Sequence, residues 1–344
     1  MSLSRQPVPP PRPARLTPTV AAVRHAVRGE LLHLGTSRAE DSHDSADALV
    51  ALSGGPDSLA LAAATGFEAH RLGLRVGAVI VDHGLQEGSE RQAERAAQQA
   101  ASLGLSPVLI ERVRVGSKGG PESAAREARY QALQRAATRT GARAVLLGHT
   151  LDDQAETVLL GLARGSGSGS LSGMSVQTDI FIRPLLGIRR ARTVEFCEDS
   201  SLDFWSDPHN DDPAYTRVRV RKTVLPLLEQ ELGPGIAEAL ARTADQMRED
   251  AAAFQEMIDE FIEEIVEPAE AGIAVSIVAL EANPAALRQR IIRYVVHSEF
   301  GVALSRQHTL AAAALVTDWH GQKALNLPGV RVARESGLLV FSSH

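Results

Sequence analysis

The sequence predicts an α/β protein built on a doubly wound, mostly parallel sheet, with a smaller, mainly helical C-terminal domain. Three observations carry this reading. From residue 48, short apolar runs alternate with amphipathic stretches of helical length, which is the pattern of βαβ units. The runs are almost continuously apolar, as strands covered on both faces require. Glycine and polar residues cluster just after the runs, at the strand ends where open α/β sheets bind ligands.

Residues 1–18 are proline- and arginine-rich and read as a disordered tail, too poor in apolar surface to offset the entropy of ordering. A helix is predicted at about 19–34, then a polar connection over 35–47. Strands are predicted at 48–52, 76–81, 107–113 and 144–147, with helices at about 57–72, 89–103, 122–140 and 152–163. Residues 164–174 form a Gly/Ser-rich loop. A helix near 189–199 and an irregular segment around Asp207–Tyr215 lead to a domain boundary near 235. Beyond it the sequence predicts helices at 235–265, 283–299 and 305–317, closed by short strand-like pieces over 324–341.

Composition narrows the function. The one cysteine, Cys197, excludes a disulfide framework and an intramolecular CxxC pair, and points to the cytoplasm. No apolar run is long enough to cross a bilayer, and the first thirty residues lack the apolar core of a secretory signal. The net charge of −6 argues against nucleic acid, but the charge is unevenly spread. Arg5, Arg12, Arg15, Arg24 and Arg28 form an acid-free basic start; Arg217, Arg219, Arg221 and Lys222 form a second group; acids concentrate between Asp245 and Glu270.

The first strand runs into Ser53-Gly54-Gly55-Pro56-Asp57-Ser58 and then a helix. The glycines allow a sharp turn and a close backbone approach, and the helix start offers unpaired N–H groups to an anion. Ser53 and Ser58 can add hydroxyl hydrogen bonds. Asp57 repels phosphate directly, so its use is through a cation, with Mg2+ the natural choice for oxygen ligands. The second strand ends in Val81-Asp82-His83-Gly84-Leu85, a turn on its own account. On the predicted fourth helix, Arg126 and Arg129 share a face; without context they read as a solvated helix.

The fourth strand ends in Gly148-His149-Thr150-Leu151-Asp152-Asp153-Gln154-Ala155-Glu156-Thr157. A helix cap at Thr150 explains acids in the first turn but leaves His149 and Glu156 without a role. Asp153 and Glu156, three apart, can converge on one cation. Arg217, Arg219 and Arg221 alternate: on an extended segment they share a side, on a helix they fan out.

These strings resemble the motifs of the PP-loop ATP pyrophosphatase superfamily, and within it the tRNA(Ile)-lysidine synthetases. The likeness rests on SGGPDS at 53–58, DHGL at 82–85, ARxxRY at 125–130 and GHTxDDQxET at 148–157, with Gln86, His209 and Val218 departing from the family pattern. Asn326-Leu327-Pro328-Gly329-Val330-Arg331 resembles the end of the family's small substrate-binding domain. The resemblance implies ATP and Mg2+ as cofactors, ATP contacts at Ser53–Ser58, Asp82, Arg129 and Gly148, and catalytic roles for Asp57, Arg129 and His149. It implies free L-lysine held by Asp153 and Glu156, and isoleucine tRNA with a CAU anticodon near Arg217, Arg219 and Arg221, with binding also by the C-terminal domain. The implied reaction adenylates carbon 2 of the wobble cytidine through its oxygen, releases pyrophosphate, and replaces AMP with lysine. A homodimer is left open. Two rivals stand beside it: another adenylating PP-loop enzyme, and a non-catalytic nucleotide- or RNA-binding module.

Overall fold

The computed structural model describes residues 16–36, 45–84, 88–113, 116, 121–165, 168–207, 212–269 and 272–343. The expectations for Arg5, Arg12, Arg15, Leu85, Gln86 and His209 lie outside them. The chain divides into two compact units, Met1–Met247 and Arg248–His344.

In the first unit a six-stranded sheet has the order β3-β2-β1-β4-β6-β5. Its strands are β1 (Ala48–Ala51), β2 (Val76–Asp82), β3 (Val108–Arg112), β4 (Ala144–Leu146), β5 (Gln177–Thr178) and β6 (Phe181–Ile182). All neighbours pair in parallel except β5 with β6. The four predicted strands lie within two residues of their expected bounds. The two-residue β5 and β6 carry too short a pattern to be read from sequence.

Alternation along β1 builds two cores. Ala48, Val50 and Leu52 face one layer with α1 (Pro18–Thr36), α2 (Pro56–Leu72), α3 (Ser89–Ser102) and α7 (Arg190–Asp199). Leu49 and Ala51 face the other layer, where Leu133, Ala136 and Ala137 of α4 (Pro121–Thr140) pack with Val145 and Phe181. The chain winds outward from β1 through β2 to β3, then returns to the other side of β1 as β4. That reversal opens a crevice at the carboxyl ends of β1 and β4, where such sheets place their ligands.

The early arginines serve the fold. Arg28 pairs with buried Glu68 at 2.7 Å and Arg24 stacks on the Phe67 ring at 3.7 Å. The unit boundary at Met247 falls twelve residues beyond the expected 235, inside α10 (Ile236–Ile265). The reason is apolar packing: Ile236, Ala237, Leu240 and Ala241 lie against Leu151 and Ala155 of α5 (Leu151–Ala163).

The second unit contains more strand than its sequence implies. A five-stranded antiparallel sheet, order β7-β8-β11-β10-β9, packs with α11 (Ile277–Ala282), α12 (Ala285–Phe300) and α13 (Arg306–Thr317). Strands β9 (Leu325–Leu327), β10 (Val330–Glu335) and β11 (Leu338–Ser342) match the expected closing pieces. Strands β7 (Val266–Ala269) and β8 (Gly272–Ser276) lie where the sequence predicts no strand, directly after a long helix. Among the described residues no helix is long and apolar enough to cross a membrane.

Candidate active site

The turn after β1 is shaped by its own side chains. Gly54 adopts φ +84°, a conformation that favours glycine. The Ser58 hydroxyl accepts from the Ser53 N–H at 3.1 Å and donates to the Gly55 carbonyl at 3.0 Å, so it is spent inside the loop. The Ser53 side chain is left exposed. Gly55 precedes α2 with ordinary φ, and a Cβ there would find its nearest neighbour 3.7 Å away. The chain's own packing therefore does not demand a glycine at 55; a ligand against the backbone would. Pro56 lacks an N–H, and among the described residues no side chain caps the first N–H groups of α2, at Asp57 and Ser58.

Gly148 has a packing reason. A Cβ there would meet the Ser58 backbone at 3.0 Å, so the glycine lets the end of β4 close onto the first turn of α2. This brings His149 and α5 beside the phosphate-type turn. At the end of β2, Asp82 is buried and accepts the Gly84 N–H at 3.0 Å.

Two cavities open here. The larger, about 410 Å3, runs from Ser53 and Gly55 past Asp82 to Trp205 and Tyr215. The smaller, about 220 Å3, is lined by Arg126, Tyr130, Leu147 and His149. Arg129 and His83 line both. Arg129 has no hydrogen bond or ion pair among the described residues, and burial lowers its pKa. A guanidinium in such a setting, facing a cavity, favours an anion. The Nδ1 atoms of His83 and His149 are buried without partners among the described residues. Burial drives the His149 imidazole down to about 3, Asp153 opposing and Arg129, Arg183 and Arg126 adding to it, so the ring is neutral.

The acids of α5 meet an arginine cluster. Arg190, the first residue of α7, reaches Asp57 with Nε at 3.0 Å, Asp153 with Nη2 at 2.7 Å and Glu156 with Nη1 at 3.3 Å. Arg221 grips Glu156 at 2.7 and 3.1 Å and Asp153 at 3.3 Å. Arg217 lies 3.7 Å from Glu156. Asp153 and Glu156 thus converge on shared cations, which in this structure are guanidinium groups. Asp153 also accepts from the Thr150 N–H and hydroxyl, both at 2.8 Å, capping α5. Burial alone would raise its pKa, but Arg190, the Thr150 N–H and His149 overcome that and hold it at about 2. Asp57 also accepts from the Thr193 hydroxyl; burial nonetheless raises its pKa, with Arg190 opposing, so its charge is under-compensated.

Of the three arginines expected at a tRNA, only Arg219 is exposed, and its guanidinium donates to the Pro213 and Ala214 carbonyls. The segment is helical, α8 (Thr216–Arg219) continuing into a π-helical turn at Val220–Val224. Residues four apart share a helical face, so Arg217 and Arg221 turn inward to Glu156 while Val218 is buried.

A family model for the PP-loop domain matches residues 26–228, and one for the TilS substrate binding domain matches residues 276–340. The tRNA(Ile)-lysidine synthase of Leifsonia xyli subsp. xyli is 64% identical over 86% of this chain and 90% of its own length. The chain belongs to the tRNA(Ile)-lysidine synthase family. Family members from Thermobifida fusca, 48% identical over 95% of this chain and 98% of theirs, and Streptomyces coelicolor, 51% identical over 84% and 83%, bear the same name. The fold extends beyond the lysidine synthase family. A U34-tRNA thiolase from Methanococcus maripaludis with a [4Fe-4S] cluster superposes with a TM-score of 0.53 at 18% identity, covering 67% of this chain and 80% of that one.

In this family member, Arg190 is the residue that sequence reasoning missed. A signal existed: Arg189 and Arg190 stand at the start of a helix, where the dipole disfavours cations. Such a local conflict marks a compensating partner elsewhere. Here Arg189 pairs with Asp152 at 3.3 Å and Glu238 at 3.1 Å, and Asp152 also accepts the Arg190 N–H at 2.7 Å.

Proposed function

We propose that this protein joins lysine to carbon 2 of the wobble cytidine of isoleucine tRNA with a CAU anticodon, through an adenylated tRNA, giving lysidine, AMP and pyrophosphate. One observation carries the reading: a single guanidinium, Arg190, touches both Asp57 of the phosphate-type turn and the Asp153/Glu156 pair, so the two half-sites are one site.

The nucleotide lies in the larger cavity, its phosphates against the Gly54–Gly55 turn, the free N–H groups of Asp57 and Ser58, and Arg129. Mg2+, when bound, neutralises the polyphosphate. Asp57 fits it: a carboxylate has more lone pairs than its two present donors use, and its charge is under-compensated. Among the described residues no cluster of three acids, histidines or cysteines forms a cage, which suits a cation held largely by phosphate oxygens.

The target base must leave its stack to be reached. The smaller cavity offers it the Tyr130 ring and the side chains of His83, Arg126 and His149. The base's O2 attacks the α-phosphate and pyrophosphate departs. The lysine amine, delivered from Asp153 and Glu156, then attacks carbon 2 and AMP leaves. The sulfur-inserting alternative finds no support in Cys197, which is buried, donates to the Pro56 carbonyl and is pushed up to about 12 by burial. A lone, unreactive thiol also suits a cytoplasmic enzyme.

The second unit supplies a tRNA surface despite its acidic helix. Arg290, Arg293 and Arg306 lie near one another with no acidic partner among the described residues, and burial, then Arg290 and Arg306, lowers the Arg293 pKa. Uncompensated arginines of this kind favour phosphate.

The test incubates the protein with the tRNA, ATP, Mg2+ and labelled lysine. Lysine incorporation with stoichiometric AMP release is expected, and Asp57→Ala abolishes adenylation. AMP release without lysine transfer would indicate a different adenylating enzyme; binding without turnover would indicate a binding module.

A further inference from the structure

The ion-pair cluster contains three acids, Asp57, Asp153 and Glu156, and three arginines, Arg190, Arg217 and Arg221. Its formal charges match, three against three. A lysine ammonium entering this cluster would add a positive charge to carboxylates already gripped by guanidinium groups, and Glu156 is completely buried beneath them. The lysine site therefore cannot be vacant in the free protein; something must draw an arginine away.

Arg190 alone among the three arginines spans both half-sites. Its Nε lies against Asp57 at the phosphate-type turn, and its two terminal nitrogens lie against Asp153 and Glu156. A polyphosphate arriving at that turn brings several negative charges to the Nε side. Guanidinium binds phosphate in a bidentate fork at least as well as it binds a carboxylate. Among the described residues, Arg221 and Arg217 hold only the acids of α5 and the Thr157 hydroxyl, with no contact to Asp57.

We propose that Arg190 is a shared positioning residue which the nucleotide redirects from the Asp153/Glu156 pair to the polyphosphate, so that ATP binding opens the lysine site and the two substrates bind with positive coupling. The inference rests on the reading of Asp153 and Glu156 as the lysine site. It predicts an order, nucleotide before amino acid. The coupling is reciprocal, because each ligand must change the other's affinity by one and the same factor.

The experiment measures lysine affinity of the full chain by calorimetry, with and without Mg2+ and an ATP analogue whose α,β-bridge is a methylene. In the wild type the analogue is expected to tighten lysine by about tenfold or more. In Arg190→Gln lysine alone binds tighter than to the wild type, and the analogue changes it by less than about twofold. Arg221→Gln separates coupling from simple unblocking: it too tightens lysine alone, but the analogue still tightens it further. Retained heat of analogue binding reports that each variant is folded, and Arg190→Lys, which keeps the charge without the fork, is expected to fall between. Equal lysine affinity with and without analogue in the wild type would overturn the proposal. Full coupling in Arg190→Gln would overturn it as well, since direct attraction between ammonium and phosphate would then suffice. Analogue binding with no lysine binding in either state would instead remove the lysine assignment itself, and this inference with it.

Discussion

The Glu156–Arg221 pair allows a sharp energetic test. Glu156 is completely buried, and Arg221 meets it with two hydrogen bonds of 2.7 and 3.1 Å while remaining 28% exposed. Hydrogen bonds to a charged group contribute about 1.5–3 kcal/mol each in buried settings. The exposure of Arg221, and the presence of Arg190 as a second donor to the same carboxylate, reduce the sum. A coupling of about 2 kcal/mol is expected, within the usual range for residues in contact. Glu156→Gln, Arg221→Gln and the double variant are compared by urea unfolding, all in a Trp319→Phe background. The chain has two tryptophans, so Trp205 then reports the first unit alone. Both single variants are destabilised, Glu156→Gln more, because it leaves guanidinium groups facing a neutral amide. The double variant is less destabilised than the sum of the two. A coupling below about 0.5 kcal/mol would refute the claim that this pair anchors the cluster.

Other expectations follow from single features. Gly55→Ala leaves the urea midpoint of the first unit almost unchanged, since its φ is ordinary and the added methyl has room, yet weakens ATP binding at least about tenfold by standing where phosphate approaches. Asp153, held at about 2, contributes stability that is present above pH ~4 and lost as the pH falls toward 2; Asp153→Asn flattens that acid limb by about 2 kcal/mol. His149, neutral down to about 3, takes up no proton in the native state between pH 5 and pH 8, so its imidazole resonances stay constant there; unfolding lets it take up that proton, so its contribution to stability declines as the pH drops below about 6.5. Cys197 resists alkylation by iodoacetamide at pH 8 in the native protein and reacts in urea. Replacing Arg290 and Arg293 by Gln makes the plot of log tRNA affinity against log salt shallower, by roughly 0.7–0.9 for each phosphate that an arginine no longer neutralises.

The sheet was legible because its strands are short, apolar on both faces and punctuated by glycine, and α1 to α5 fell within two residues of expectation. The phosphate-type turn and the convergence of Asp153 with Glu156 were legible for the same reason: both depend on local spacing. The partners of those acids were not. Arg190 is 34 residues from Glu156 and Arg221 is 65 residues from it, and no periodicity links them. Alternation at 217, 219 and 221 left the direction of the side chains to the backbone, and the helix decided it. The second sheet escaped notice because β7 and β8 follow a thirty-residue helix without a turn signal strong enough to mark its end. The first turns of α10 belong to the first unit because their apolar residues cover α5, which no local pattern announces.

Arg129 and His83 line both cavities. Both are half-buried, so a change of rotamer at either would reshape two chambers at once. A ligand filling one chamber would press on residues that also wall the other.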